Sequence, residues 1–428
     1  MTDVAGQLLT TADGRPLKAA LASAQRRAQI RAFFLVFPLL AFVLVTFVAP
    51  IGKMLWQSIN NPDFVEFTDF GTGESHPVMQ NLKAWFDANP AGTAPDEAAY
   101  AALAADFVVL KKVKAQGAVG GRVNYDVSGT RSLFTSTARK ADTFKAPFRD
   151  SLLAADPKWA DPMIWRAMRS ASSANSIDFY LAALDYSRDA DGNIAAVPEK
   201  EQVYVTLFLR TLLLSAIITG TCLLLAFPVA HLLATLPMSK SNLLMILVLL
   251  PFWTSLLVRT TAWMVLLQSE GVINNILVSL GVIDDANRLA MINNQTGTII
   301  AMTHVLLPFM ILPLYSVMRT IPPSYARAAR SLGATSWTTF RRVYLPLTLP
   351  GMGAGGLLVF ILAMGYYITP ALVGGASGQL ISNLIAFHMN KTQNWSLAAA
   401  LAGILLLVVL LLYWLYDRLI GIDKMKLG

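Results

Sequence analysis

Cysteine is almost missing from this chain. Cys222 is the only one, so no disulfide framework or cysteine-rich metal site can form within the molecule. Charge is scarce as well: 14% of residues are Asp, Glu, Lys or Arg, where a soluble protein of this size carries about a quarter. No G-x-x-x-x-G-K-[ST] occurs, which excludes ATP binding by a P-loop. The four histidines (His76, His231, His304, His388) share no paired spacing and read as packing or interface residues rather than metal ligands. What fills the place of the missing charge is apolar surface, 55% of the chain, gathered in long runs of the kind that cross membranes. These features describe an integral membrane protein.

Six spans are expected, at about Phe33–Met54, Val203–Leu236, Leu243–Leu267, Thr298–Met318, Gly351–Val373 and Leu397–Leu419. The net charge of +8 follows them. Arg15, Lys18, Arg26, Arg27 and Arg31 precede the first run, and Lys240 lies in a short connection. Arg319, Arg327, Arg330, Arg341 and Arg342 cluster between the fourth and fifth runs, and Arg418, Lys424 and Lys426 follow the last. Placed together on the cytoplasmic side they satisfy the positive-inside rule, with both termini cytoplasmic. The basic balance therefore reports topology and not a nucleic-acid partner. Trp56, Trp253, Trp395, Trp414 and Tyr416 fall near span ends, as interfacial aromatics do. The first run is long and lacks a small-residue cleavage site, so it reads as an uncleaved anchor. Pro228, Pro308, Pro313 and Pro370 inside spans point to kinked, cavity-lining helices. No acid lies in the apolar cores of the second to sixth spans, which argues against a proton-coupled carrier. A cationic solute would find only aromatic faces there, such as Trp253, Tyr366 and Tyr367.

Residues 56–200 form a polar insert on the outer face, expected to be a small, mainly helical extracytoplasmic domain. Thr93 with Asp96 three residues on reads as a helix start, Lys111, Lys112 and Lys114 as its last turn before Gly117, and Tyr100, Leu103, Phe107 and Leu110 as its buried stripe. A second helix is expected in "NSIDFYLAALDY", with Ile177, Tyr180, Leu181 and Leu184 as its apolar face. "SRDADGNI" has Asp189, Asp191, Gly192 and Ile194 in phase with a calcium loop. It offers Ser187 and Pro198 where the first and twelfth ligands belong, and reads as an Asp-Gly turn ending a helix. Two short amphipathic segments follow, with Ile273, Ile276, Leu277 and Leu280 on one and Ile381, Leu384, Ile385 and His388 on the other.

Arg259, inside "PFWTSLLVRTTAW", is an intramembrane charge that reads either as a cavity residue or as a snorkelling arginine; Arg210, nearer its span's outer end, reads as the latter. "SYARAARSLGATSWTTFRRVYLPLTLPG", from Ser324 to Gly351, is expected to hold two short helices. Ser324 caps the first, Gly333 stops it, and Ser336 caps a second that ends before Pro346. Each has too few turns to be stable alone, so they need a docking partner. Ala328 and Ala329 offer a close-approach surface, and Trp337, Phe340 and Tyr344 can wedge the second helix against the bundle.

This stretch resembles the cytoplasmic "EAA" loop of binding-protein-dependent ABC importer permeases, here as Arg327-Ala328-Ala329, Gly333 and Val343 to Pro346. "LLPFWTSLLVRTTAW", "LLPFMILPLYS", "LPGMGAGGLLVF", "TPALVGG" and "NWSLAAAL" resemble, in order, the spermidine/putrescine-type permeases of that family. The resemblance implies an all-α, six-helix type I importer permease. Its organisation would be a cytoplasmic tail (1–32), a first transmembrane helix (33–55), the insert (56–200), a transmembrane core (201–421) with a coupling loop at about 320–346, and a tail (422–428). It implies a bacterial inner-membrane, multi-pass location and no enzymatic activity or cofactor in this chain. ATP and Mg would be bound by a partner ATPase dimer, alongside a second permease, most often as a heterodimer, and an extracytoplasmic solute-binding protein. Arg327, Ala328, Ala329, Leu332, Gly333 and Pro346 would couple to the ATPase; Trp253, Thr254, Arg259, Tyr366, Tyr367 and Thr369 would line the substrate path. Arg327 departs from the family's glutamate. Tyr366 and Ala371 stand where some polyamine-carrying relatives have carboxylates. The solute expected is polyamine-like or a related small nitrogen compound, with an opine or phosphonate as the alternative. Outside this class stand a membrane-anchored sensor or scaffold with a ligand-binding outer domain, and a standalone secondary carrier.

Overall fold

The structure, a computed structural model, describes residues 17–61, 64–69, 71–189 and 192–420. Arg15, Asp191, Lys424, Lys426 and the tail 422–428 lie outside the described residues. The chain divides into two compact units, Met1–Gln57 and Ser58–Gly428. In the first, the helices Leu17–Val43 and Ala49–Gln57 are joined by a π-helical turn, Leu44–Val48, and Gln25–Gln57 is long and apolar enough to cross a membrane. Its surface carries large apolar side chains such as Leu35 and Phe34, an arrangement suited to hydrocarbon as the solvent.

The second unit is organised around three long helices: Tyr204–Thr235, Gln295–Thr320 and the continuous stretch Ser336–Gly365. Leu214, Ile218, Cys222, Ala226 and Ala230 recur every four residues along the first. They form one buried ridge against Met302, Leu306, Met310 and Leu314 of the next and Val359 and Ala363 of the third. Small residues set the approach: a Cβ on Gly355 would stand 2.9 Å from the Met310 sulfur and 3.2 Å from the Met310 carbonyl oxygen, so glycine suits the close contact of these two helices. Trp395–Arg418 supplies a further span.

The third expected span is not one straight helix. Met238–Trp253 and Leu256–Leu266 meet at 95°, with the bend at Thr254 and Ser255. Pro251 removes a backbone donor just before the break, and Thr254 Oγ1 turns back to the Pro251 carbonyl at 3.0 Å. Ser241 donates to the Leu233 carbonyl (2.8 Å) at the end of the second span, and Thr260 meets Thr369 (3.2 Å) beyond the fifth. Among the described residues five helices are long and apolar enough to cross a membrane, and the count becomes six when the bent pair is taken as one span. The fifth expected span, Gly351–Val373, is also redrawn, because its helix starts at Ser336, ends at Gly365, and resumes only as Ile368–Val373.

Most helices of the insert converge on an aromatic centre. Phe107, Phe134 and Trp159 have mutual ring separations of 5.3–5.5 Å, and the Trp159 indole donates to Thr137 Oγ1 at 3.0 Å. Tyr100, Leu103, Phe107 and Leu110 are all buried on the helix Glu97–Val113. Its cap differs from the expected Thr93: Asp96 accepts from the Ala99 N–H at 2.9 Å, while the Thr93 hydroxyl turns back to Pro90. The helix ends at Lys114 in the left-handed region, three residues before Gly117. The short helix Asp178–Ala183 buries Phe179 and Ala183, not the expected stripe, and Ile177 and Leu184 are exposed. The described ends of "SRDADGNI" lie in two antiparallel strands, Tyr186–Arg188 and Ile194–Ala196, with Ser187 paired to Ala195, so the stretch begins in a strand and not at a helix end. In the helix Val272–Ser279 the buried side chain is Asn274, bonded to the Gln268 and Leu289 backbone, with Ile276 exposed.

Insert and bundle share structure. Phe179 and Ala183 pack with Leu207, Ile381, Leu397 and Leu401, and Tyr125 donates to the Gln393 carbonyl at 2.9 Å. Asp185 forms the firmest joint. Held in the left-handed region (φ 60°) and buried, it accepts from the backbone N–H groups of Val203 (3.0 Å), Tyr204 (3.1 Å) and Val205 (2.7 Å). It thereby caps the helix Tyr204–Thr235, whose own N-cap residue, Val203, has no side chain able to do so. Beside it, the guanidinium of Arg122 is buried. It donates to Asn61 Oδ1 (2.7 Å) and Asp126 Oδ2 (2.8 Å), and lies 4.9 Å from the Phe179 ring centre.

Two outcomes follow. Asp185→Ala lowers stability by about 1–2 kcal/mol, more than Asp185→Asn, which tolerates the same backbone conformation and retains an acceptor; thermal unfolding in detergent measures both. Burial alone would raise the Asp178 carboxyl, but hydrogen bonds from Ser170, Arg188 and Ser176 and the Arg188 charge bring it below the ordinary value. A carboxylate lowered on folding stabilises above its unfolded value of about 3.9, and that contribution is lost as pH falls through the folded value. The stability difference between the native chain and Asp178→Asn should therefore be constant near neutrality and shrink below about pH 4 in a pH series of unfolding curves.

Candidate functional site

The polar segment between the fourth and fifth spans is a helix, a glycine stop and a second helix that never ends. The first, Pro323–Ser331, starts with Pro323 at its first position and has no side-chain cap, so Ser324 lies inside it instead of capping it. Gly333 stops it at φ +86°, with the Ala334 N–H on the Ala329 carbonyl and the Gly333 N–H on that of Arg330, both 3.0 Å. This is a Schellman closure, which needs a left-handed residue and has no steric demand of its own, since nothing lies within 4 Å of an added Cβ.

Thr335, not Ser336, caps the second helix, accepting from the Thr338 N–H at 3.2 Å. That helix passes through a π-helical turn, Phe340–Tyr344, straight into the span Leu345–Gly365. The expected end before Pro346 does not occur. The wider π turn takes the carbonyls that a proline ring would otherwise strike, and Pro346 sits at the head of the next α-helical stretch where its missing N–H costs least. Trp337, Phe340 and Tyr344 stack in sequence, with Phe227 edge-on to Phe340 (5.9 Å) and His231 Nδ1 2.8 Å from the Tyr344 hydroxyl. Arg319 donates to the Ala234 carbonyl (2.8 Å) and so pins the fourth span to the second at this end.

Arg327, Ala328, Leu332 and Gly333 are exposed together, Ala329 half so, with Tyr325 and Trp337 beside them. Leu332 is 89% exposed and Trp337 68%, too apolar to be an ordinary solvated loop. Pro346 stands apart from this surface. With the bent pair taken as one span, three crossings separate the segment from the insert, and the two then lie on opposite faces of the membrane-spanning layer.

A second constellation lies inside the bundle. Arg259 is half-buried, and its Nε has no hydrogen-bond partner among the described residues. The Trp263 indole donates to His304 Nδ1 at 3.1 Å, the rings edge to face. Around them the chain breaks at Tyr366 and Tyr367. The two freed carbonyls accept from Ser382 (2.6 Å) and Asn383 (2.8 Å), and Thr369 meets Thr260. Irregular backbone at membrane depth is tolerated where protein or a cavity re-satisfies it, as here. Of the expected path residues, Arg259, Tyr366 and Thr369 fall in this region. Trp253 (74% exposed), Thr254 and Tyr367 are exposed on the surface of this chain. Spacing could not reveal His304, which is 41 residues from Trp263 on another helix. Arg210 is spent on the Ala376 carbonyl at 3.0 Å.

A family model described as binding-protein-dependent transport system inner membrane component matches residues 223–420 and stops short of the insert. The spermidine/putrescine transport system permease protein PotB of Escherichia coli (strain K12) is 38% identical over 224 residues, which is 52% of this chain and 81% of that protein. The inner membrane ABC transporter permease protein YdcU of the same organism is 33% identical over 229 residues, 51% of this chain and 73% of its own. Among solved structures, a chain of a bacterial alginate ABC transporter in complex with an alginate pentasaccharide-bound periplasmic protein is 18% identical. It covers 54% of this chain and 82% of its own with a TM-score of 0.44. The helical bundle, its polar inter-span segment, the family model and the two permease relatives agree: the chain belongs to the family of binding-protein-dependent transport system inner membrane components, and is the permease subunit of an ABC importer.

Proposed function

We propose that this permease pairs with a second permease to carry a small nitrogen-containing solute of the polyamine type inward. On this reading the insert faces the outside and receives the binding protein. The polar segment faces the cytoplasm and docks on an ATPase dimer that binds ATP and Mg. The observation that carries the reading is the exposed apolar-and-basic surface of Pro323–Gly333, followed after a two-residue link by a helix that runs unbroken from Ser336 to Gly365. The docking surface would comprise Arg327, Ala328, Ala329, Leu332 and Gly333, with Pro346 stiffening the root of the span. The path would run past Arg259, His304, Tyr366 and Thr369, with Trp253, Thr254 and Tyr367 facing the second permease. The names of the relatives support the polyamine class. The described membrane-spanning helices of the second unit place no carboxylate in their apolar cores, so acids for a cationic solute would come from the partner.

A second reading rests on Arg259. A guanidinium with an open donor suits an anionic group, as in an opine or phosphonate.

Both are tested in proteoliposomes containing the chain, its partner permease, the ATPase and the binding protein. Gly333→Val forces a β-branched residue to positive φ and should cut ATP-coupled uptake at least about tenfold, the equivalent of roughly 1.4 kcal/mol, without blocking assembly. Unchanged uptake would remove the docking assignment. Arg259→Gln should leave putrescine uptake within about threefold of the native value, below 1 kcal/mol. Collapse of uptake for a phosphonate instead identifies the second reading.

A further inference from the structure

The insert contains a cavity of about 780 Å3 that shares no lining residue with the bundle constellation. Such a volume accommodates a small organic molecule. One wall is apolar and aromatic, built from Trp85, Phe86, Trp165 and Pro162. The opposing chemistry is cationic. Arg166, Arg169 and Arg188 line the space, against a single carboxylate among the described residues, Asp178. That carboxylate is already engaged by Ser170 and by Arg188 Nε at 2.8 Å, so it neutralises Arg188 and has little left for the other two.

Those two differ in what they do. Arg169 is built into the fold: its Nη1 donates to the carbonyls of Phe86 (2.9 Å) and Asn89 (2.8 Å), and its guanidinium carbon lies 4.8 Å from the Phe86 ring centre. It still leaves Nη2 buried and unpartnered among the described residues. Arg166, one helical turn earlier on the same face of Pro162–Ser172, has no hydrogen bond or ion pair among the described residues, and its Nη1 is likewise buried and open. Leaving such donors unmet costs on the order of 1–3 kcal/mol each, and an arginine is the side chain whose planar fork matches a carboxylate.

We propose that this cavity binds a small organic carboxylate, the acid group held by Arg166 beside Arg169 and the apolar body laid against Trp85, Phe86 and Trp165. The site is independent of the transport path, and its chemistry is opposite to that of a polyamine. It makes the insert a receptor for an anion in its own right.

Phenylacetate is the probe, with phenethylamine, acetate and inorganic phosphate as controls, added to the full chain in nanodiscs and followed by indole fluorescence and calorimetry. Phenylacetate should bind saturably and phenethylamine should not. Acetate and phosphate should bind at least tenfold more weakly, since they lack the body. Arg166→Gln should weaken phenylacetate at least tenfold with an unchanged unfolding temperature. Ser173→Asp, at an exposed lining position, should weaken it by placing a competing acid at the arginines. Absence of saturable binding, equal binding by Arg166→Gln, or equal binding of the amine would each overturn the proposal. Phosphate matching phenylacetate would overturn the aromatic half of it.

Discussion

The carboxylate of Asp185 is the point on which the second unit depends. A helix that enters a bilayer must have its first backbone donors met before it reaches hydrocarbon, because nothing there can meet them. Tyr204–Thr235 cannot do this from its own sequence, since Val203 holds the capping position. The insert supplies the acid from a residue held at positive φ, itself positioned by the Asp178–Ala183 helix and the hairpin that follows. The insert therefore finishes the second span and is more than cargo on a loop. Arg122 reinforces the same junction from below, where a charge shared among Asn61, Asp126 and the Phe179 ring keeps a buried guanidinium satisfied.

Much of this was legible in the residues. Runs of apolar side chains located the crossings, and the stripe Tyr100, Leu103, Phe107, Leu110 located the main insert helix, because both signals are periodic and local. Gly333 was legible as a stop because a Schellman closure demands a left-handed residue. The misreadings have two causes, a neighbouring residue better placed for the same cap and partners far away in sequence. Thr93 and Ser336 look like caps, but Asp96 and Thr335 hold the positions where the backbone turns. Ile177 and Leu184 look like core, but Phe179 faces Arg122 and the bundle. The bend at Thr254 and Ser255 was hidden because hydropathy measures length of grease and not direction. His304 was hidden because its meaning lies in Trp263, 41 residues away, which only folding brings to it.

The bundle constellation also shows how little charge a passage of this kind requires from one chain. One arginine with an open donor, one histidine taken by an indole, a Thr260–Thr369 pair, the Tyr366 phenol and two broken-helix carbonyls already tied to Ser382 and Asn383 make up the polar groups described there. The carbonyls are pre-satisfied, and the arginine still has a donor to offer a solute or a second subunit.

The uninterrupted helix from Ser336 to Gly365 has a mechanical meaning. Thirty residues at 1.5 Å each form a rod of about 45 Å, with an aromatic handle at Trp337 and its far end anchored where Ser382 donates to the Tyr366 carbonyl. Its π-helical turn, Phe340–Tyr344, lies next to the handle and is held by Phe227 and His231 of the second span. The two ends of the rod are thus tied to different elements of the bundle, and side chains about 40 Å apart along one helix share one rigid support.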